Sequence, residues 1–212
     1  MRLHHLVLCI SVLCVVPASA RAVTILSENF DELTTSFSVT SVGAFSAIGG
    51  TNVDIVGPTL LNGLCAAPQS GNCVDLNGTG GNPQGILQSN TPITLTPGID
   101  YRLSFDLIGS QRGLTTSTTV SFGPYNQTFV LASGDVSSGI VSNALVTVGV
   151  TTVANLTYTS NTGGQIGALL DDVLITSAVP EPSTALLVGI GFGSMSVMRR
   201  QRGAPRRDAR RR

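Results

Sequence analysis

The sequence predicts an all-β protein, an antiparallel β-sandwich that lies between two terminal signals. Gly, Ser, Thr, Asn and Val dominate residues 21–179, and no stretch there repeats apolar residues at helical spacing. Short apolar runs alternate with turn residues about ten times, a pattern typical of sandwiches built from many short strands. The sequence shows no repeat of fixed period, which disfavours a solenoid or a propeller.

Period-two alternation identifies the clearest strand, residues 101–107, in which Tyr101, Leu103 and Phe105 share one face and are predicted to be core. Two apolar stretches flank Gly123-Pro124 and predict a hairpin at that turn. The strands predicted along the chain are residues 23–26, 37–42, 52–56, 74–76, 86–88, 101–107, 120–122, 125–131, 145–153, 155–159 and 168–176.

Residues 1–20 contain the three parts of a secretory signal peptide. A short basic start, Met1-Arg2-Leu3-His4-His5, precedes an apolar run over residues 6–16, and Ala18-Ser19-Ala20 follows as an A-x-A cleavage site. The apolar run is shorter than the roughly 20 residues that span a bilayer. We therefore predict that residues 1–20 are removed and that the protein is exported. The alternative is a buried N-terminal strand.

Residues 180–212 contain three parts in a fixed order. Pro180-Glu181-Pro182 comes first, an uncharged apolar run over residues 183–198 follows, and eight arginines lie from Arg199 onward. The apolar run would form a helix of about 24 Å, which is short against a bilayer core of roughly 30 Å. Flanking arginines let such a short transmembrane helix sit in a bilayer, with the arginines on the cytoplasmic side.

This order of parts resembles the PEP-CTERM sorting signal, over residues 179–202. In that family an exosortase, a membrane-bound enzyme similar to cysteine transpeptidases, acts near the Pro-Glu-Pro motif. The resemblance implies that Pro180, Glu181 and Pro182 are the sorting motif and that an exosortase is a partner. It also implies a transient inner-membrane anchor, followed by release to the cell surface or extracellular matrix of a Gram-negative bacterium that makes extracellular polysaccharide. An ordinary C-terminal membrane anchor is the alternative.

Charge is distributed unevenly along the chain. Residues 21–179, the predicted domain, contain three arginines against ten acidic residues, which gives a net charge of −7. An acidic domain lacks the basic surface that nucleic-acid binding requires, so we expect no nucleic-acid partner. The arginine-rich tail follows an apolar run, where it indicates membrane topology.

A second resemblance lies within the predicted domain. Asn29-Phe30-Asp31, residues 74–78 and the phrase Asp171-Asp172-Val173 are similar to opening, middle and closing segments of galactose-binding-like jelly-roll carbohydrate-binding modules. The resemblance implies a jelly roll of two sheets, a fold that often binds glycans and often holds a structural calcium ion.

Calcium prefers oxygen ligands from carboxylates and backbone carbonyls. By the resemblance, the predicted metal ligands are Glu28, Asp31, Asp171 and Asp172. On a regular strand, Asp171 would share one face with Leu169, Val173 and Ile175. A carboxylate near an apolar interior needs a partner, which a calcium ion would supply. The alternative is that both aspartates lie at the solvated edge of the strand.

Residues 21–179 contain no histidine, lysine or tryptophan. This composition excludes Ser-His-Asp and Cys-His catalysis, histidine zinc sites and lysine Schiff bases. Paired carboxylates, as in glycoside hydrolysis, remain, but Asp171 and Asp172 cannot form such a pair because neighbours on a strand point to opposite faces. We therefore predict no catalytic residues and no enzymatic activity.

Cys65 and Cys73 are the only cysteines of the predicted domain. Export leads to an oxidising compartment, and the Pro68 and Gly71 between them allow the chain to fold back. We predict a disulfide between them, with two free thiols as the alternative.

Two non-enzymatic functions remain open. The scarcity of aromatic residues favours a structural or interaction role at the surface or in the matrix. The alternative is a lectin-like module that binds extracellular polysaccharide. Sugar rings stack on aromatic side chains, and Tyr125, just after the predicted turn, is the candidate ligand-binding residue.

Overall fold

The structure, a computed structural model, describes residues 21–61, 63–80 and 84–179, and these residues form fifteen strands. The strands are β1 Arg21–Glu28, β2 Ser36–Val39, β3 Ser41–Val42, β4 Phe45–Ala47, β5 Val53–Val56, β6 Cys73–Asp75, β7 Ile86–Ser89, β8 Ile93–Leu95, β9 Asp100–Ile108, β10 Thr116–Phe122, β11 Tyr125–Leu131, β12 Gly139–Val146, β13 Thr152–Ala154, β14 Thr157–Ser160 and β15 Leu169–Val179. The predicted signal peptide, sorting motif and transmembrane helix lie outside the described residues.

Seven strands form the larger sheet, in the order β12-β9-β15-β6-β5-β2, with β1 also paired to β15. The β9–β15 pairing is the longest, antiparallel from Leu169 opposite Ile108 to Ala178 opposite Asp100. β9 alternates polar and apolar residues from Asp100 to Leu107, which gives this part of the strand one buried face. The closing strand therefore lies in the middle of this sheet.

Six strands form the second sheet, in the order β11-β10-β14-β7-β4-β3. The β10–β11 hairpin turns at Gly123, whose φ of 57° suits glycine, and pairs seven residues on each side. Strands β8 and β13 form a separate two-stranded sheet. The predicted all-β antiparallel sandwich is confirmed, and Ala22–Val179 forms one compact unit.

The main core contains apolar side chains from both large sheets. Phe105 of β9 and Tyr158 of β14 meet edge to face with ring centroids 5.4 Å apart, and Phe45 lies 6.1 Å from the other side of Tyr158. Burying one such large side chain contributes roughly 1.5–3 kcal/mol. The predicted core residues Tyr101, Leu103 and Phe105 all belong to this cluster.

A smaller core lies on the opposite face of the seven-stranded sheet. Its buried members are Val56, Leu64, Cys73, Ile108 and Leu169. The loop between β5 and β6 contributes Leu64 and packs over the outward side chains of β5, β6, β9 and β15. Part of this sheet is therefore covered on both faces.

Two predicted strands differ from the structure. Residues 37–42 divide between β2 in the larger sheet and β3 in the second sheet. Within β2, Ser38 has a φ of 55° and donates its N–H to the Asp54 carboxylate at 2.7 Å, where the pairing with β5 shifts register. Residues 145–153 divide between the end of β12 and β13, and Val150 between them is 73% exposed. Within the described residues, no helix is long and apolar enough to cross a membrane.

Candidate functional site

Asp171 lies in β15 at a β-bulge, an irregularity in the pairing with β9 between Asp171 and Leu174. Asp172, the next residue, has a φ of 49°. The bulge shifts the alternation by one position, so Val173 and Ile175 point into the main core instead of sharing the face of Asp171. The prediction that these residues share one face is therefore wrong.

The Asp171 carboxylate is buried and weakly partnered. Its residue is 1% exposed, the Ser70 N–H donates to Oδ2 at 3.4 Å, and the Asp172 N–H donates to Oδ1 at 2.7 Å. Burial, aided by the nearby Asp172 and Asp31 carboxylates, raises the pKa of Asp171 to about 7, although the two backbone hydrogen bonds oppose the shift. Such a group would be stabilised by a nearby positive charge.

Asp172 and Asp31 are both exposed. Asp172 lies near Asp106 of β9, and burial together with the Asp172 charge raises the pKa of Asp106. Asp31 accepts the Asn72 N–H at 2.9 Å and the Asn29 side-chain amide at 3.2 Å. Two of the predicted ligands thus lie near enough to Asp171 for their charges to act on it.

Glu28, the fourth predicted ligand, holds backbone amides. Its carboxylate accepts the Phe30 N–H at 3.1 Å and the Ala44 N–H at 2.8 Å. Glu28 therefore fastens the end of β1 to the turn between β3 and β4. Within the residues that the structure describes, no group of three or more His, Cys, Asp or Glu side chains is placed to hold a metal ion. Calcium binding at these positions stays a prediction.

Cys65 and Cys73 form the predicted disulfide, with Cα atoms 5.8 Å apart. Between them, Gln69 is buried, and its side-chain amide donates to the Asp106 carbonyl at 2.9 Å and to the Leu169 carbonyl at 2.8 Å. These contacts hold the disulfide loop, residues 65–73, against the seven-stranded sheet beside Asp171.

A buried ion pair on the same sheet was not anticipated from the sequence. Asp75 is fully buried, its Oδ2 pairs with the Arg112 guanidinium, and its Oδ1 accepts the N–H groups of Asn77 and Gly167 at 3.0 and 2.8 Å. Burial raises the pKa of Asp75 to about 6, although the Arg112 charge opposes the shift. Arginine is scarce in this acidic domain, and that scarcity is the sequence signal that could have indicated a dedicated partner.

A groove of about 440 Å³ lies beside Asp31, between the β1–β2 loop, Pro58 and Thr59 after β5, and the end of the disulfide loop at Gly71 and Asn72. The Thr35 and Thr59 hydroxyls are hydrogen-bonded to each other at 2.9 Å, and the Asn72 side chain donates to the Leu33 carbonyl at 2.8 Å. These polar groups, which line the groove, are therefore hydrogen-bonded to one another.

Tyr125, the candidate ligand-binding residue, opens β11 and pairs with Phe122 across the hairpin turn. Its ring is half-buried against the main core, and its hydroxyl donates to the Gln127 side chain at 2.9 Å. Burial raises the pKa of this hydroxyl. A role for Tyr125 in ligand binding stays a prediction.

The outer face of the six-stranded sheet presents neutral polar side chains in register. One row crosses all six strands and consists of Asn126, Ser121, Thr157, Gln88, Ser46 and Ser41. A second row consists of Thr128, Thr119 and Thr159, and the position that follows it on β7 is the apolar Ile86. None of these residues is buried, and the six strands contain no charged residue. We refer to the two rows together as the hydroxyl face.

Comparison with known protein families identifies the C-terminal segment. Residues 178–202 match the family model of the PEP-CTERM protein-sorting motif. No curated protein matches the chain in sequence. Fold and tail together define an exported all-β protein with a C-terminal sorting signal. That signal is the PEP-CTERM motif, which marks the chain for processing at the membrane by an exosortase.

Among solved structures, the chain is similar to two adhesin domains of Lys-gingipain from Porphyromonas gingivalis W83. For the K1 domain the identity is 14% and the TM-score 0.40, over 71% of this chain and 96% of that one. For the K3 domain the identity is 14% and the TM-score 0.41, over 74% and 99%. An exo-β-1,3-galactanase from Phanerochaete chrysosporium matches at 14% identity and a TM-score of 0.32, over 74% of this chain and 29% of that one.

Proposed function

We propose that the domain of residues 21–179 acts outside the cell as a non-enzymatic structural or interaction component of the cell surface or extracellular matrix. The sorting motif at residues 178–202 is the observation that carries this proposal, because it directs the chain to export and membrane processing. The composition supports the non-enzymatic part, since a domain without histidine or lysine lacks the commonest general base and the Schiff-base nucleophile.

Processing can be tested with the full chain in a host that contains an exosortase and in the same host without it. We expect the surface protein to lack residues 199–212, because cleavage near Pro180-Glu181-Pro182 removes the tail. Intact-mass measurement reads the result directly. A surface protein that still contains the arginine tail would contradict the proposal.

Matched variants separate motif recognition from tail effects. Replacement of Pro180, Glu181 and Pro182 by alanine should leave the chain unprocessed in the membrane fraction. Pro205→Ala, in the tail that follows the matched segment, should be processed like the wild type. Fractionation should place the processed wild type at the cell surface or in the polysaccharide layer. Recovery in the cytoplasm would contradict an exterior role.

We also propose that a calcium ion binds at Asp171. The nearest carboxylates are those of Asp171 and Asp172, with Asp31 nearby, whereas the Glu28 carboxylate faces the β3–β4 turn, where it accepts the Phe30 and Ala44 N–H groups. Burial among like charges supports a cation at this point. Two of the three arginines in the domain are engaged elsewhere, Arg112 with Asp75 and Arg102 with the Asn143 carbonyl. The ion would link the segment after β1 to the closing strand through oxygen ligands.

Thermal melts in calcium and in a chelator test the calcium proposal. Calcium should raise the midpoint of the wild type, because a ligand that binds the folded state stabilises it. The Asp171→Asn variant should lose this response, whereas Asp100→Asn, at an exposed acid of β9, should keep it. Identical melts in both buffers, with no calcium found by elemental analysis, would remove the ion from this account.

A further inference from the structure

We propose that the hydroxyl face binds a neutral, extended polysaccharide. This inference rests on the proposed exterior function and gives it a site and a ligand class. Asn126, Ser121, Thr157 and Gln88 are four successive positions of the first row, counted from the edge strand β11, with one residue on each of four neighbouring strands.

The distribution of charge favours a neutral ligand. All acidic residues of the domain lie in strands of the seven-stranded sheet or in loops, and none lies in the six-stranded sheet. A typical soluble surface is about 25–35% charged, so solubility alone does not call for a sheet face without charge. A carboxylated or sulfated polymer would find no cation on this face and would be repelled by the net charge of −7 on residues 21–179.

The hydrogen bonds of the face indicate which groups are available. In the second row, the Thr119 and Thr128 hydroxyls are 2.8 Å apart, and the Asn161 side chain donates to Thr119 at 2.9 Å. In the first row, by contrast, the side chains of Ser121, Thr157 and Gln88 form no hydrogen bond within the described part of the chain. Hydroxyl and amide groups both donate and accept, as sugar hydroxyls do, so this row complements a polyhydroxyl ligand.

The dimensions favour a polymer over a single sugar. Neighbouring strands lie about 4.8 Å apart, so a row across six strands extends roughly 24 Å. The two rows contain no aromatic side chain on which a sugar ring could stack. Each hydrogen bond to a neutral partner contributes little, so useful affinity requires many contacts along one chain.

The test uses the full chain, purified in a detergent without a sugar headgroup, and retention on cellulose, mannan and alginate. We expect at least one of the two neutral polymers, cellulose or mannan, to retain the protein at both low and high salt, because no ion pair is involved. Alginate, which is acidic, can hold the arginine-rich tail at low salt, but it should not retain the protein at high salt, where that attraction is screened.

A pair of matched variants locates the binding surface. Thr157→Val/Thr159→Val removes two hydroxyls of the hydroxyl face while preserving side-chain shape. It should weaken retention about tenfold, equivalent to the loss of one or two hydrogen bonds. Thr24→Val/Thr176→Val makes the same change on β1 and β15 of the seven-stranded sheet and should bind like the wild type. Thermal melts of both variants check that the fold is kept.

Three outcomes would overturn the inference: no retention on cellulose or mannan, retention on alginate at high salt, or wild-type retention of the Thr157→Val/Thr159→Val variant. None of them touches the exterior function, which stands or falls on processing and fractionation. Conversely, a protein that binds mannan and yet stays in the cytoplasm would support the binding site and contradict the exterior function.

Discussion

The two large sheets of the sandwich differ in the kind of polar group that they bury and in how those groups are hydrogen-bonded. The seven-stranded sheet buries carboxylates on its outer face, where loops cover Asp54, Asp75 and Asp171. The six-stranded sheet has no charged residue, and its buried polar groups include the Thr116, Thr118 and Tyr158 hydroxyls, which have no hydrogen-bond partner within the described residues. One sheet thus depends on electrostatic pairing, and the other on apolar packing.

The degree of pairing also varies among the three carboxylates. Asp54 accepts three hydrogen bonds, from the Ser38 N–H and from the N–H and hydroxyl of Thr79, at 2.6–2.9 Å. Asp75 is partnered by a guanidinium, whereas Asp171 accepts only two backbone amides. An unpartnered buried charge is costly. We therefore expect substitutions at the outer face of the seven-stranded sheet to change the free energy of unfolding most.

Removal of Arg112 should produce the largest effect. Arg112→Met leaves Asp75 buried without its cation, and we expect a loss of about 3–5 kcal/mol in the free energy of unfolding at neutral pH. Arg102→Met, at a side chain that donates only to the Asn143 carbonyl, should change it by less than about 0.5 kcal/mol. Urea unfolding measures both.

The double variant Asp75→Asn/Arg112→Met removes the stranded charge. It should recover most of the stability that Arg112→Met loses, because the penalty arises from the unpaired carboxylate. Equal losses in Arg112→Met and Arg102→Met would show that the ion pair does not distinguish this sheet.

Stability should fall as pH rises from about 4 to about 6, by up to about 3 kcal/mol from Asp75. The folded-state pKa of about 6 exceeds the ordinary value of 3.8, so the folded protein binds this proton more tightly. The contribution is fully present below the ordinary pKa and is lost as pH rises through the folded one. Denaturant unfolding across this range measures the slope.

The Asp75→Asn variant isolates the contribution of Asp75 to that slope, since Asp171 titrates in the same direction. The variant should show a shallower dependence on pH than the wild type. Parallel curves for the two proteins would refute the assignment to Asp75.

Loss of the disulfide should cost about 2–3 kcal/mol, from the loop entropy that the cross-link removes from the unfolded chain. Cys65→Ala/Cys73→Ala makes this change, and reduction of the wild type provides the matched measurement. Denaturation midpoints that do not differ between oxidised and reduced protein would argue against a stabilising role for the loop.

The smallest effect, of opposite sign, is expected in the six-stranded sheet. Thr118→Val replaces a buried hydroxyl without a partner by a methyl group, and should raise the free energy of unfolding by about 1 kcal/mol. Thr119→Val, one position along β10, removes a hydroxyl that is hydrogen-bonded and half-exposed, and should not stabilise. Destabilisation by Thr118→Val would mean that its hydroxyl has a partner after all.

The fold class and the disulfide were predictable because they rest on local signals. Alternation in residues 101–107 and the Gly123-Pro124 turn predicted β9 and the β10–β11 hairpin correctly, since one buried face enforces a period of two. The bulge after Asp171 was not predictable. It requires Asp172 to adopt a positive φ, which the period-two pattern does not encode.

The Asp75–Arg112 pair and the hydroxyl face were not predicted because both depend on contacts between segments far apart in the sequence. The Asp75–Arg112 pair joins β6 to the loop after β9, and the hydroxyl face depends on β14 lying between β10 and β7. Alternation indicates that Ser117, Thr119 and Ser121 point outward from β10, but it does not say which strand lies beside them. Strand order follows from the whole topology, which no local pattern specifies.

The position of β15 has a mechanical consequence. The strand lies in the middle of its sheet, is paired with β9 from Leu169 to Ala178, and continues at Val179 into the sorting segment. When that end is pulled along the strand direction, the hydrogen bonds to β9, which run perpendicular to the strands, are loaded together in shear and do not open one after another. Force spectroscopy from the C-terminal side should show one high-force rupture, and gradual extension at low force would contradict this. A protein tethered by this strand would withstand drag from flowing liquid without unravelling.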